Sequence, residues 1–166
     1  MTKLKEQVLV HDGSSDFDFF IGSWIGHNRR LRERLKGSTS WEEFEGVSVA
    51  RKILGGVGNF DEVTFHRESG DLHGFTLRLY NARSQQWSLY WADSAGNVAM
   101  VPPEVGSFKD GVGEFFAQEL FEGRMIFSRF IWSLITDTSC RWEQAFSEDG
   151  GKTWETNWIS NFVRKT

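Results

Sequence analysis

His66 and His73 flank the turn signal Ser69-Gly70, so they could face each other across a β-hairpin. A two-residue loop would place them directly opposite, with Cβ atoms about 5 Å apart, a separation that suits two ligands of one metal ion. Glu62 would share their face but would lie about 13 Å along the strand, too far away to complete a three-ligand site. We therefore expect no metal site and treat the two histidines as weak candidates only.

Acid–base chemistry would need proton carriers and charged groups that line one cavity. The residues that could supply them are Glu62, His66, His73, Arg29 and Arg78. Together they would suit a cofactor-free enzyme such as a cyclase, an isomerase or a decarboxylase. They form no catalytic motif, however, so we expect a binding protein without catalytic residues or a cofactor, and keep the enzyme as the alternative hypothesis.

The elements that must position these residues are strands. Apolar and polar residues alternate from Trp24 to the end of the chain, with Gly, Asn, Asp and Ser clusters about every ten residues. This spacing predicts an all-β fold, an antiparallel barrel of about ten strands. Ser15 and Asp16 could cap one short helical turn over Phe17–Ile21. The segment Arg29–Lys36 fits a helix as well as a strand, and we interpret it as strand.

Length and composition narrow the class of protein. The 166 residues predict one domain, 1–166, in which 1–14 form a flexible or edge segment. A formal net charge of −4 argues against nucleic acid as a partner, because neutralising phosphates needs a basic face. No signal peptide or apolar run of about 20 residues is present, so we expect no membrane partner and a cytoplasmic location. Cys140 is the only cysteine and excludes a disulfide within the chain.

The hairpins can be registered by requiring that apolar side chains share one face, since a slip of one residue moves a whole strand to the other face. This requirement predicts a continuous lining of Trp and Phe side chains. The predicted pairs are His66 with His73, Thr64 with Phe75, Leu77 with Leu89, Phe75 with Trp91, Phe115 with Phe130, Gly113 with Trp132, Gln144 with Thr156 and Trp142 with Trp158.

These aromatic faces should meet inside the barrel and line a site for a small hydrophobic or aromatic ligand. His27 and Arg29 could also face inward and hold a ligand carboxylate. If the sheet is inverted near Asp61 and Arg78, those two would instead form a polar site in the cavity, although we expect the apolar face inside. The predicted ligand-binding residues are Phe75, Trp87, Trp91, Phe130, Trp132, Gln144, Trp158, His27 and Arg29.

The eight Trp residues could exceed what one barrel interior needs. Aromatic side chains left on the surface would form an apolar patch of the kind that marks protein–protein contacts. A homodimer is therefore a further hypothesis.

Two segments between the strands carry turn-forming residues. Ser147–Trp154 fits an Asp-box pattern that resembles hairpin turns in sialidases, in which Asp accepts backbone N–H bonds and Gly supplies a positive φ. We interpret it as a structural turn. Because proline is restricted within sheets, Pro102-Pro103 predicts a long loop or a broken edge strand over Gly96–Gly106, which could cover the mouth of the barrel.

Gly22-Ser23-Trp24, after a short helical turn and before about ten strands, resembles the entrance of a barrel of the calycin superfamily, the lipocalin and fatty-acid-binding-protein type. More closely, the chain resembles a bacterial family of uncharacterised lipocalin-like domains. The runs that carry this likeness are Trp41-Glu42-Glu43-Phe44-Glu45-Gly46, Arg141-Trp142-Glu143-Gln144-Ala145-Phe146-Ser147 and Thr153-Trp154-Glu155-Thr156-Asn157-Trp158.

The calycin resemblance implies a small-molecule site inside the barrel, with Trp24 plugging its closed end. It does not extend to the haem-binding barrels of the nitrobindin type, which carry Gly-x-Trp-x-Gly-x-Gly and a late histidine. Gly26 fits that pattern, but His27 and Asn28 replace the rest and no histidine follows His73. Haem is therefore not expected.

Overall fold

Ten antiparallel strands close into a barrel in the computed structural model, which describes residues 12–97, 100 and 102–166. The strands are β1 Gly22–Leu31, β2 Trp41–Ile53, β3 Gly58–Arg67, β4 Gly70–Asn81, β5 Gln86–Asp93, β6 Glu104–Lys109, β7 Val112–Phe121, β8 Arg124–Ser133, β9 Ser139–Ser147 and β10 Glu155–Arg164. Each strand pairs with its neighbours in sequence, and β1 pairs with β10. Short 3₁₀ turns lie at Asp18–Phe20 and Leu54–Gly56. The prediction of an all-β barrel with a short N-terminal helical turn is confirmed.

Residues 1–11, most of the segment that the sequence predicts to be flexible or at an edge, lie outside the described residues. Gly13 packs against the barrel, because its carbonyl accepts a 3.0 Å hydrogen bond from the indole N–H of Trp87. No helix in the described part of the chain is long and apolar enough to cross a membrane.

One end of the barrel is plugged by aromatic rings, and we call it the closed end. Trp24 is fully buried there, and its indole N–H donates to the carbonyl of Phe20 over 2.8 Å. The rings of Phe20 and Trp24 stack at 5.4 Å, and Phe17 packs edge-on against Trp87 at 5.0 Å. The turn starts after Phe17 with no side-chain cap, so the predicted capping by Ser15 and Asp16 is wrong. The rings themselves hold the turn in place.

Strand β1 shows the alternation that decides which side chains enter the barrel. Trp24 points inward, whereas His27 and Arg29 are exposed on the outer face. The His27 ring lies 3.3 Å from the carboxylate of Glu45, and Arg29 lies 3.2 Å from that of Glu43 on β2. The inward placement of His27 and Arg29 is therefore wrong, since their partners on β2 also point outward.

The register between β3 and β4 differs from the prediction by two residues. On β3 and β4, Thr64 lies opposite His73, because the two turn residues are Glu68 and Ser69 rather than Ser69 and Gly70. The predicted pairing of His66 with His73 is wrong, and so is that of Thr64 with Phe75. This two-residue shift keeps the same side chains of β3 and β4 together on one face, so by itself it does not change which face points inward.

The next hairpin, β4–β5, is shifted by a single residue. Asn81 ends β4, and its side-chain oxygen accepts the backbone N–H groups of Arg83 and Ser84, which leaves a four-residue loop. The predicted pairing of Leu77 with Leu89 would need a loop of five residues and is wrong, because Arg78 lies opposite Leu89. The polar face of β4 therefore points into the barrel.

The β7–β8 hairpin is confirmed, since Phe115 pairs with Phe130 and Gly113 with Trp132. In β9–β10 a bulge between Thr156 and Trp158 shifts the register, so Trp158 lies opposite Gln144 instead of Trp142. A bulge adds one residue to one strand, which a count from the turn alone does not show. Both aromatic side chains still line the interior.

Strand β1 ends at Leu31, so the prediction of strand as far as Lys36 is wrong. The segment that follows crosses the end of the barrel opposite the closed end. The guanidinium of Arg34 lies 4.8 Å from the ring centre of Phe121, and the backbone N–H of Leu35 donates to Glu155 over 2.8 Å. This crossing segment partly covers that end.

The Asp-box turn is confirmed as a structural staple. Asp149 accepts hydrogen bonds from the backbone of Lys152 and from both the backbone and the hydroxyl of Thr153. Gly150 and Gly151 take φ values of 73° and 86°. Because these hydrogen bonds favour the ionised carboxylate, they lower the pKa of Asp149 to about 2.

Candidate functional site

A cavity of about 390 Å³ lies inside the barrel above the aromatic plug. Its floor includes Phe20, Trp132 and Phe162, and its size falls within the range of about 300–1,000 Å³ that small-molecule sites occupy. The closed end is filled by side chains, whereas the middle of the barrel is not. The cavity is therefore the candidate site.

Aromatic rings form the walls of the cavity and brace one another. Trp142 lies edge-on to Trp158 at 5.7 Å and to Phe130 at 5.0 Å, and Phe65 lies 5.4 Å from Trp158. The indole N–H of Trp158 donates to Asn28 over 3.1 Å, which fixes the ring. Such walls offer flat apolar surfaces on which a ligand ring can stack.

A buried ion pair stands beside the floor, where Arg78 of β4 meets Asp61 of β3. The closest guanidinium nitrogen and carboxylate oxygen are 2.6 Å apart, and the two side chains are almost fully buried. Arg78 also donates to Asn59 over 3.0 Å, and the hydroxyl of Ser48 donates to Asp61 over 3.0 Å. The rings of Phe20 and two other aromatic residues flank the guanidinium at 5.2–5.6 Å. The pair is therefore a charge-balanced polar wall, as in the inverted arrangement that the sequence left open.

The second polar feature is a pair of carboxyl groups, Glu104 of β6 and Glu119 of β7, with Ser128 of β8. Glu104 is only 6% exposed; the hydroxyl of Ser128 donates to its Oε1, and its Oε2 has no hydrogen-bond partner among the described residues. Burial, with a smaller contribution from the charge of Glu119, raises the pKa of Glu104 to about 8. Burial also raises the pKa of Glu119. Glu104 is thus mostly protonated at neutral pH.

Sequence reasoning missed these carboxyl groups, although the sequence carries a signal for them. Glu104 and Phe108 are four residues apart on one strand, and Glu119 and Phe115 are four apart on another. Residues at even separations share a face of a strand. Each glutamate therefore lies on the same face as a phenylalanine that points into the barrel.

The cavity reaches the margin of the sheet where β5 and β6 part. Only Trp87, Ser88 and Leu89 of β5 pair with β6 in the described part of the chain, because β6 begins at Glu104. Beyond Leu89 the cavity is lined by Tyr90, Pro102 and Leu120. This side opening is the candidate entrance. Strand β6 begins directly after Pro103 and pairs with both β5 and β7, so the prediction of a loop or an edge strand as far as Gly106 is wrong for Glu104–Gly106.

The predicted ligand-binding residues fall into two groups. Trp91, Phe130, Trp132, Gln144 and Trp158 line the cavity. Trp87 is buried within the closed-end core, and Phe75 lies on the outer face, where its ring stacks on Phe60 at 5.8 Å. His27 and Arg29 lie on the outer face as described above.

The predicted acid–base set is not brought together. Glu62, His66 and His73 are exposed on the outer face, and of the whole set only Arg78 lines the cavity. His66 contacts Asp71 at 2.9 Å, whereas His73 contacts Thr64. No group of three or more His, Cys, Asp or Glu side chains in the described ranges could hold a metal ion. Burial raises the pKa of Cys140 to about 12, which leaves it a poor nucleophile.

Comparison with known proteins supports the fold. No protein-family model matches the chain, and no curated protein matches it. The structure is similar to that of the S-type phycobiliprotein lyase CPES from Guillardia theta, with 13% sequence identity, a TM-score of 0.62 and 90% of each chain covered. It is also similar to the structure of EF1p2_mFAP2b bound to DFHBI, with 8% identity, a TM-score of 0.47 and coverage of 92% of this chain and 99% of that chain. The likeness to CPES extends to the fold alone, which in this chain is a closed antiparallel β-barrel of ten strands.

Proposed function

We propose that the protein binds a small, largely apolar or aromatic molecule inside its barrel. The observation that carries this proposal is the 390 Å³ cavity, whose walls are largely aromatic and whose charged groups lie at two places, Asp61 with Arg78 and Glu104 with Glu119. Binding sites for small molecules combine these two properties. A ligand that fits between these walls would contact them on several sides, and the dispersion energy of those contacts would stabilise the complex.

The charges around the cavity favour a neutral ligand. Arg78 is the one cation that lines the cavity in the described part of the chain, and it is already paired with Asp61. A ligand carboxylate would also meet Glu104 and Glu119. A carboxylate-bearing ligand stays a prediction from the sequence, and 4-benzoylbenzoate represents it in the fluorescence titration described below.

The alternative hypothesis of a cofactor-free enzyme draws no support from the residues predicted for it, because most of them lie outside the barrel. A single domain, a homodimer, a cytoplasmic location and membership of the bacterial lipocalin-like family stay predictions alongside this proposal.

Benzophenone, which has two aromatic rings joined by a carbonyl, is a suitable probe. We expect it to quench the tryptophan fluorescence of the protein in a saturable way, because Trp91, Trp142 and Trp158 line the cavity. We expect 4-benzoylbenzoate, which adds a carboxylate, to bind more weakly. Fluorescence titration checks both outcomes, and calorimetry gives the stoichiometry.

A matched pair of variants locates the probe. Thr76 lines the cavity, and Leu77 follows it on the outer face of β4. Thr76→Phe should weaken benzophenone binding by more than about tenfold because its ring occupies the site, whereas Leu77→Phe should bind as the wild type does. Circular dichroism confirms that both variants fold. Saturable binding that survives in Thr76→Phe would contradict a site inside the barrel.

A further inference from the structure

We propose that Glu104, in its protonated form, donates a hydrogen bond to a carbonyl oxygen of the ligand, so that the cavity selects neutral aromatic carbonyl compounds. This inference rests on the proposed function and adds the chemical class of the ligand.

The position of Glu104 gives its carboxyl group one free polar atom. Its Oε1 accepts the hydroxyl proton of Ser128, and its Oε2 is buried without a partner in the described structure. A neutral carboxyl group carries one O–H donor in addition to its acceptors. We place the carboxyl proton on Oε2, the oxygen without a partner among the described residues, and Glu104 lines the cavity. A donor that is buried without an acceptor is costly, and a carbonyl oxygen of a ligand would satisfy it.

Neighbouring strands hold the Glu104 carboxyl group at this point. Ala117 of β7 pairs directly with Ser128 of β8, and it lies just beyond Phe116, the last residue of β7 that pairs with β6. Ala117 shares the inward face of Phe115, and its small side chain leaves room for Glu104 to reach Ser128. Ser128 is fully buried, so its single hydroxyl proton is committed within the protein.

The groups around Glu104 favour the protonated form. Glu119 on β7 is the nearest charged neighbour, and its negative charge opposes ionisation of Glu104. Strand β5 presents Tyr90, a phenol, to the same cavity, and the ion pair of Asp61 with Arg78 on β3 and β4 is balanced in itself. None of these groups supplies an unpaired cation. Burial therefore outweighs the hydrogen bond from Ser128, which lowers the pKa of Glu104, and raises that pKa to about 8.

Two probes of nearly the same shape isolate the hydrogen bond. Benzophenone has a carbonyl oxygen where diphenylmethane has a methylene group. We expect wild-type protein to bind benzophenone about five- to tenfold more tightly than diphenylmethane, since one neutral hydrogen bond is worth roughly that factor. Fluorescence titration gives the first affinity, and competition against benzophenone gives the second.

Variants at Glu104 separate the effect of the hydrogen-bond donor on binding from the effect of the shape of the site. Glu104→Gln places an amide N–H where the carboxyl O–H stood, so it should keep the preference for benzophenone. Glu104→Leu removes the donor, so it should bind the two probes equally. If Glu104→Leu fails to fold, Glu104→Gln and the pH dependence still carry the test.

The pH dependence identifies the proton. Raising the pH from about 6 to about 9 should weaken benzophenone binding to the wild type about four- to fivefold, because the pKa of Glu104 is about 8, most of the molecules then lose the hydrogen bond, and neither probe titrates. Diphenylmethane binding to the wild type and benzophenone binding to Glu104→Gln should both stay constant over this range.

The outcomes distinguish the two proposals. Failure of both probes to bind would overturn the proposed function. Equal binding of both probes to the wild type would overturn the role of Glu104 and leave the binding function intact. Tighter binding of benzhydrylammonium, a cation of similar shape, than of benzophenone would show that Glu104 is ionised and would also overturn this inference.

Discussion

At the scale of single residues, removing one partner of the ion pair between Arg78 and Asp61 should lower the stability of the protein more than other single substitutions. They form a buried ion pair, so removal of one partner leaves an uncompensated charge among aromatic rings. We expect Asp61→Ala to lower the free energy of unfolding by about 3–5 kcal/mol. The neighbouring substitution Glu62→Ala, on the exposed face, should change it by less than about 0.5 kcal/mol. Urea denaturation measures both.

The double variant Asp61→Leu with Arg78→Leu tests the cause. If the cost of Asp61→Ala arises from the stranded charge, replacing both partners by apolar residues should recover much of the lost stability. A double variant less stable than Asp61→Ala would show that the pair contributes through its hydrogen bonds to Asn59 and Ser48 instead.

The same residues show where reading the sequence succeeded and where it could not. Alternation correctly put Asp61 and Arg78 on one face of their strands, but which face points inward depends on whether the β4–β5 loop has four residues or five. Asn81 settles this by bonding the loop backbone, a contact that the sequence does not specify. Because the loop is one residue shorter than predicted, Thr76 and Arg78 face the interior instead of Phe75 and Leu77.

At the scale of elements, β6 is the strand on which the site depends, and Gly106 fixes its position. A Cβ atom at Gly106 would lie 1.8 Å from the backbone oxygen of Glu114, so only glycine allows β6 to approach β7 this closely. We expect Gly106→Ala to displace β6 and to lower the free energy of unfolding by about 1–3 kcal/mol. Because Glu104 lies two residues away, the preference for benzophenone over diphenylmethane should also fall.

Ser107→Ala is the matched control, since Ser107 is the next residue and is exposed. It should leave both stability and probe preference unchanged. If Gly106→Ala proves as stable as the wild type, β6 can shift without lowering the free energy of unfolding, and the prediction is wrong.

The sequence predicted the register of some hairpins more accurately than that of others. The β7–β8 hairpin was predicted residue by residue, because Glu122-Gly123 is a tight turn with both φ values positive. The β9–β10 register was missed, since the bulge near Trp158 arises from pairing between strands and has no mark of its own in the sequence. The predicted cavity walls were nevertheless correct here, because both strands carry aromatic residues on their inward faces.

At the scale of the whole molecule, closing the barrel buries Glu104, and this should make the stability of the protein depend on pH. The pKa of Glu104 rises from 4.5, its ordinary value, to about 8 in the folded protein. Between these values the folded state holds a proton that the unfolded state has released. The stability that this proton provides is fully present below pH 4.5 and is lost as the pH rises through 8. The loss is on the order of 5 kcal/mol.

Urea denaturation between pH 5 and 8 checks this dependence, because the carboxyl groups with lowered pKa, such as Asp149, titrate below that window. We expect the free energy of unfolding of the wild type to fall steadily across it. Glu104→Gln cannot ionise at this position, so its stability should fall less steeply with pH than that of the wild type and should exceed it most at pH 8; Glu119, whose pKa burial also raises, accounts for the slope that remains. Glu114→Gln, an exposed substitution on the outer face of β7, should keep the wild-type slope. A wild-type stability that is constant from pH 5 to 8 would mean that water or a counter-ion reaches Glu104, and the protonated donor at the cavity wall would then be lost along with the selectivity it confers.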